Sequence, residues 1–302
     1  MIKRTLEIST RGIFLAVEQE QLVIKLEGQE LQRVPIEDIG VLLLSTTAAT
    51  YTHAVISRLL TAGAVIVACD DQHLPCGMLL PQNNSLQTER LTTQVSAKKP
   101  LLKQLWRQLV MAKIAAQADL LGPGDVQSAM LGIRDRVRSG DPENGEAQAA
   151  RRYWLALLGP DFRRDQEGPP PNNLLNYGYM ALRAAVARSI AAAGLHPSLG
   201  VHHHNRADTF CLADDLMEPL RPMVDRRVKR LAKSGLTEIN KDAKRELLPV
   251  LTETVSLGDT TGPLMVALER MVASLVRCYA GETDRLEIPQ PWTSADTASC
   301  GS

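Results

Sequence analysis

The spacing of apolar residues changes near residue 80, and that change limits what the chain can fold into. Before it, Thr5-Leu6-Glu7-Ile8-Ser9 and Gln21-Leu22-Val23-Ile24-Lys25-Leu26-Glu27 alternate, and Leu31-Gln32-Arg33-Val34-Pro35-Ile36 makes a third short strand candidate. Ile39 to Leu44 and Ala64 to Cys69 are unbroken apolar runs, the pattern of strands covered on both faces. Between them, Ala54, Val55, Leu59 and Leu60 share one face of a helix over 52–61, which Gly63 ends. After a loop marked by Pro75, Gly77, Pro81 and Asn83-Asn84, the period becomes helical. The spacing predicts helices over 101–121, 125–138, 145–158, 173–193, 208–219, 222–234, 241–256 and 261–280. The expectation is an α+β protein. A small β-rich domain over 1–85 precedes a larger all-α domain over 86–288, and 289–302 form a flexible tail.

With 44% hydrophobic residues among 302, the chain can bury a substantial core. Its 34 basic and 34 acidic side chains cancel, so any hold on nucleic acid must come from local basic surface. Aromatics at 4% argue against a base-stacking platform. Five cysteines without a CxxC pair, no apolar leader at the N-terminus and no run long enough to span a bilayer lead to the expectation of a cytoplasmic protein.

The segment from Gly200 to Asp225 is the densest in chemistry. It holds His202-His203-His204, five carboxylates (Asp208, Asp214, Asp215, Glu218 and Asp225) and the arginines Arg206 and Arg221. Imidazole with carboxylate is a ligand set for a divalent cation, and neighbouring arginines can hold phosphate. Asp215 and Glu218, three apart, share a helix face, with Leu212 and Leu216 toward the core and His203 in the loop before them. The same residues could form a solvated polar loop. Zinc is a weaker fit than Mg²⁺ or Mn²⁺, because no Cys pair or HExxH completes a tetrahedral set.

A second constellation, Gly140-Asp141-Pro142-Glu143-Asn144-Gly145, is a turn signal that delivers Glu146 to the first turn of a helix. The helix dipole alone would favour a glutamate there. A basic run follows Glu218: Arg221, Arg226, Arg227, Lys229, Arg230 and Lys233. With Arg151 on the earlier helix, its arginines Arg221, Arg226, Arg227 and Arg230 are the candidate phosphate contacts, or else ordinary charged faces. No P-loop, GxSxG elbow or Rossmann fingerprint competes with this reading.

Three blocks together resemble the family called CRISPR-associated protein one, the integrase of spacer acquisition. They are Cys69-Asp70-Asp71-Gln72-His73-Leu74-Pro75-Cys76-Gly77, then Asp141 to Glu146 leading into Ala149-Ala150-Arg151-Arg152-Tyr153-Trp154, then Gly200-Val201-His202-His203 leading into Leu212-Ala213-Asp214-Asp215-Leu216-Met217-Glu218-Pro219. The resemblance covers most of the chain. It implies a metal site of Glu146, His203 and Glu218, with Gly200 selecting His203 from the triplet, and Asp215 at a nearby acidic position. Ala147 stands where a glycine is common, and Leu220 where an aromatic is. The resemblance further implies Mg²⁺ or Mn²⁺, a homodimer built through the N-terminal domain, and a small ferredoxin-like partner, CRISPR-associated protein two. Its expected substrate is duplex DNA, inserted as spacers into the repeat array. The alternatives are a metal-dependent nuclease with no integrase role, a noncatalytic DNA-binding scaffold and a zinc-stabilised helical module.

Overall fold

The computed structural model describes residues 3–70, 75–82 and 86–291. Asp71 to Leu74 of the first sequence block, the Asn83-Asn84 pair and the tail from 292 lie outside the described residues.

The strand-patterned region forms two four-stranded sheets. Its elements are β1 (Arg4–Ile8), β2 (Ile13–Glu18), β3 (Gln21–Leu26), β4 (Gln29–Pro35), β5 (Ile39–Leu44), β6 (Thr50–Tyr51), helix α1 (His53–Thr61), β7 (Val65–Cys69) and β8 (Pro75–Leu79). One sheet runs β4-β3-β2-β6 and the other β1-β5-β7-β8. In the second, β1, β5 and β7 are parallel and β8 antiparallel. The apolar runs at 39–44 and 65–69 have the expected cause. Leu42, Leu44 and Ile66 pack with Ile8, Leu15, Val55 and Leu59 into a small core under α1. Val41, Leu43, Val65, Val67 and Cys69, on the other face, join the large helical core. One sheet therefore belongs to both cores, and the pleat sorts its side chains between them.

The helical region follows as α2 (Gln87–Val95), α3 (Lys99–Leu121), α4 (Asp125–Arg136), α5 (Gly145–Leu158), α6 (Asn172–Ala192), α7 (Cys211–Met217), α8 (Arg221–Lys233), α9 (Lys241–Leu247) and α10 (Leu264–Tyr279). α6 is buried along most of its length. Gly178 lets α8 approach it: a Cβ there would lie 2.4 Å from Val224 Cγ1. Two polar contacts bind the regions together: Lys244 pairs with Glu7 at 2.7 Å, and Arg188, which pairs with Glu269 within the helical region, donates through Nε to the Gly63 carbonyl.

The helical region is not all α. The helix expected over 241–256 stops at Leu247, passes through a 3₁₀ turn at Leu248–Thr252, and gives way to a hairpin of β9 (Thr254–Leu257) and β10 (Thr260–Pro263). Pro249 removes a helical donor, and Gly258 (φ +58°) makes the turn. The last helix accordingly starts at Leu264 rather than 261. Gln290, within the expected tail, exchanges backbone hydrogen bonds with Ser256. No helix among the described residues is long and apolar enough to cross a membrane.

Candidate active site

Three backbone devices present the chemistry. The first is the turn before α5. Asp141 and Asn144 both take positive φ (49° and 53°), and the Asp141 carboxylate accepts from the amides of Gly145 (2.8 Å) and Glu146 (3.0 Å). Asn144 caps the helix by accepting from the Ala147 amide. This fixes Glu146 in the first turn, as the sequence predicts. The second is Gly200, where a Cβ would lie 2.3 Å from the His203 carbonyl oxygen and 2.9 Å from Asp215 Oδ2. Only a residue without a side chain lets the histidine loop fold this tightly onto α7. The third is α7 itself, buried throughout and shorter than the expected 208–219, followed by a 3₁₀ turn at Glu218–Leu220.

Asp215 is fully buried and organises the histidine loop. It accepts from the His202 amide at 2.8 Å, and Oδ1 lies 2.5 Å from His203 Nδ1. A carboxylate on Nδ1 sets the ring's orientation and leaves Nε2 as the ligand atom. That hydrogen bond, with the charges of Glu218 and Asp214 nearby, raises the His203 pKa against the effect of burial. His202 instead stacks on Trp106 at 4.1 Å, and burial lowers its pKa.

Glu218 is buried between two cations. Arg221 Nε donates to Oε1 at 2.9 Å, and Lys113 Nζ lies 2.5 Å from Oε2. Burial would raise this carboxyl, but Arg221 and Lys113 outweigh it and hold the pKa down at about 2. The same ammonium lies 2.5 Å from Glu146 Oε1. Glu146 and Glu218, 72 positions apart, thus converge on one positive centre. Arg221 is seated 4.6 Å above the Tyr179 ring, and Tyr179 and Tyr153 both donate to buried Asp225. Burial pushes the Asp225 carboxyl up to about 6, although both phenols and Arg221 oppose it.

The three expected ligands are neighbours, but they do not already form a cation cage. Among the described residues no three histidine, cysteine or carboxylate side chains converge as a metal cluster. The ammonium of Lys113 sits between the two carboxylates. The donor set nonetheless suits a hard divalent cation. It offers two carboxylates already sharing a positive charge, one of them with a buried oxygen, Glu218 Oε2, that makes no aligned hydrogen bond. The described cysteines are free, and Cys211 faces the carbonyls of Asn205 and Asp208, outside this set.

The basic residues divide. Arg221 belongs to the site. Arg226 and Arg227 pair with Glu253, and Arg230 pairs with Glu246, so these three brace α8 against α9 and the segment after it. Arg151 is exposed on α5. On the other side of α7 a cavity of about 920 Å³ is lined by Arg164, Arg183 and Arg221. Arg183 grips Asp214 with two hydrogen bonds, at 2.9 and 2.7 Å, and burial pushes that carboxyl up to about 6 despite Arg183 and Arg221.

Comparison with known proteins identifies the family to which this sequence belongs. The family model for CRISPR associated protein Cas1 matches residues 6–254. The chain belongs to the Cas1 family. A CRISPR-associated endonuclease Cas1 from Neisseria meningitidis is 37% identical over 300 residues, spanning 96% of this chain and 97% of the relative. A Cas1 endonuclease from Pyrobaculum aerophilum is 27% identical over 288 residues, spanning 89% and 97%. Two solved structures share the fold. A casposase bound to integration product superposes with a TM-score of 0.77 at 22% identity, covering 95% of this chain and 93% of its own. A Cas1 protein from Thermotoga maritima gives 0.72 at 17%, covering 92% and 97%.

Two residues of this Cas1 site escaped the sequence reading. Lys113 lies on the buried stripe of α3 with Trp106, Leu109, Val110 and Gln117. A lysine on an apolar face was the available signal. Tyr179 lies in α6, where a tyrosine among alanines reads as core, and only the fold shows Arg221 above it.

Proposed function

We propose that this protein is a metal-dependent DNA endonuclease and integrase of CRISPR adaptation, which inserts short duplex DNA into a repeat array by transesterification. The observation that carries the reading is the convergence of Glu146 and Glu218 on one positive centre, beside a histidine oriented by Asp215. Glu146, His203 and Glu218 would hold Mg²⁺ or Mn²⁺, which when bound would lower the pKa of a hydroxyl nucleophile and neutralise charge on the phosphate.

The chain's own groups do the rest. Asp215 orients the His203 ring. Arg221 keeps Glu218 ionised and is itself seated by Tyr179. In strand transfer, the 3′-oxygen of the incoming DNA attacks a phosphorus of the repeat, a P–O bond forms as another breaks, and the displaced 3′-oxygen leaves as a hydroxyl. One phosphodiester replaces another, so no nucleotide triphosphate is required. Hydrolytic nicking of branched DNA is the same displacement with water as nucleophile. The neighbouring cavity is lined by Arg164, Arg183 and Arg221 but also by Asp70, Glu167, Asp208 and Asp214, so it carries no surplus of positive charge. Arg151 is an exposed candidate for a phosphate contact outside it.

Partners follow from relatives. Solved structures sharing this fold include a Cas6-RT-Cas1–Cas2 complex, with a TM-score of 0.76, and a Cas1–DNA complex, with 0.57. By extension this chain works as a homodimer joined through its β-rich N-terminal domain, roughly 1–85, with the helical domain catalytic. A small ferredoxin-like Cas2 partner bridges two such dimers. The test is hydrolytic. Nicking of a branched duplex should appear with Mn²⁺ or Mg²⁺, vanish in EDTA and vanish in Glu218→Ala. Nicking that survives EDTA would refute the metal-dependent reading.

A further inference from the structure

We infer that Lys113 is a positioning residue for the cation site: its ammonium holds Glu146 and Glu218 together while no divalent cation is bound, and it must give way when one binds. The inference rests on the metal reading above and extends it to a residue outside the expected ligand set.

Two ionised carboxylates repel, so Glu146 and Glu218 would not converge without a charge between them. Lys113 supplies it from a third element, α3. Its side chain is 9% exposed, and Nζ lies 2.5 Å from Glu146 Oε1 and 2.5 Å from Glu218 Oε2. Arg221 occupies the other oxygen of Glu218, so Oε2 is the atom left for either the ammonium or a cation. The ammonium and a divalent cation therefore want the same two oxygens, and one excludes the other. A lysine suits this exchange better than an arginine. It is a compact point charge on a flexible four-carbon stem, able to withdraw, whereas a guanidinium fork would lock both carboxylates. The consequence is a site that is assembled before the cation arrives but weakened for it. If the lysine-paired form makes up about 90% of the metal-free protein, apparent affinity is reduced about tenfold.

The experiment is titration of Mn²⁺ alone into the full-length protein, followed by calorimetry and by thermal unfolding, with no DNA present. Lys113→Met should bind Mn²⁺ about tenfold more tightly than wild type. It should melt lower in EDTA and gain more in melting temperature from Mn²⁺. Lys113→Arg should move affinity the other way. Lys113→Gln repeats the first test if the methionine variant does not fold. Mn²⁺ affinity unchanged or weaker in both Lys113→Met and Lys113→Gln would overturn the inference. Glu218→Gln separates this from failure of the metal reading. If Glu218→Gln binds Mn²⁺ as well as wild type, the site itself is wrong, and the role of Lys113 falls with it.

Discussion

Replacing Gly200 by alanine puts the account of the histidine loop under direct strain. Gly200 has an ordinary backbone conformation, so the substitution acts through space and not through φ. The added Cβ would lie 2.3 Å from the His203 carbonyl oxygen, 2.9 Å from Asp215 Oδ2 and 3.1 Å from Cys211 Cβ. None of these is the loose end of a long side chain: one is backbone, and the others are fixed on α7. Relief to ordinary contact requires His203 to move by about 1 Å, a displacement that can cost on the order of 10²-fold in rate when it falls on a catalytic group. Overpacking a tight site of this kind costs about 1–3 kcal/mol of stability. Gly200→Ala should therefore fold, with a urea midpoint modestly lowered, and should lose about 100-fold in strand-transfer rate. Mn²⁺ affinity should fall with it, since the His203–Asp215 hydrogen bond is the contact disturbed. Wild-type rate in a folded Gly200→Ala protein would refute the claim that this glycine sets the histidine's position.

Asp215→Asn should leave the fold intact and weaken Mn²⁺ binding by about 10–100-fold, because the carboxylate orients His203 without ligating; calorimetry reads this directly. Asp225 gives a pH signature. Its folded pKa, about 6, exceeds the ordinary carboxylate value, so its stabilising contribution is complete below about pH 4 and is lost as pH rises through 6. That loss is worth roughly 3 kcal/mol. Asp225→Asn lacks it, so the stability gap between wild type and variant, from urea denaturation, should be roughly 3 kcal/mol larger at pH 4 than at pH 7. A gap that stays constant with pH would contradict this. Arg227→Ala should destabilise by about 1.5–3 kcal/mol, because it removes charged hydrogen bonds to Glu253 and the Glu246 carbonyl while Arg226 still pairs with Glu253; urea denaturation reads this. Arg151→Ala should leave stability alone and lower the salt dependence of DNA binding by about one phosphate contact.

The sheets and helices were legible where burial imposed one period. The runs at 39–44 and 65–69 announced strands covered on both faces, and α5 begins at the glycine before Glu146, as its turn residues predict. Legibility failed where a short element carried little apolar content. β8 is Pro75-Cys76-Gly77-Met78-Leu79, whose proline and glycine read as loop, and it is held by pairing with β7. The hairpin at 254–263 falls inside the helices that the spacing predicts, although Gly258-Asp259 directly after the alternating Val255-Ser256-Leu257 is a turn signal. β2, Ile13 to Glu18, is a strand sequence passed over between clearer neighbours.

In the candidate site, Glu146, His203 and Glu218 stand out through the family resemblance, and the structure brings the two glutamates to one ammonium. What surrounds them was not legible, because ion pairing across the fold leaves no local trace. The basic run after Glu218 reads as one phosphate-binding surface, yet Glu246 and Glu253 occupy Arg226, Arg227 and Arg230, leaving Arg221 to the site. The counter-charge shared by the two glutamates comes from Lys113, 33 residues before the first of them.

The central claim is that Glu146, His203 and Glu218 form one cation site that joins DNA ends. Its most direct test is transfer of a short fluorescent duplex into a supercoiled plasmid carrying a repeat. The assay would contain the Cas2 partner and Mn²⁺ or Mg²⁺, and would compare wild type with Glu146→Ala, His203→Ala and Glu218→Ala. The account predicts joining that requires the metal, stops in EDTA and is abolished in each variant, while duplex binding persists in all three. Joining at the wild-type rate by any folded variant of the three would contradict it.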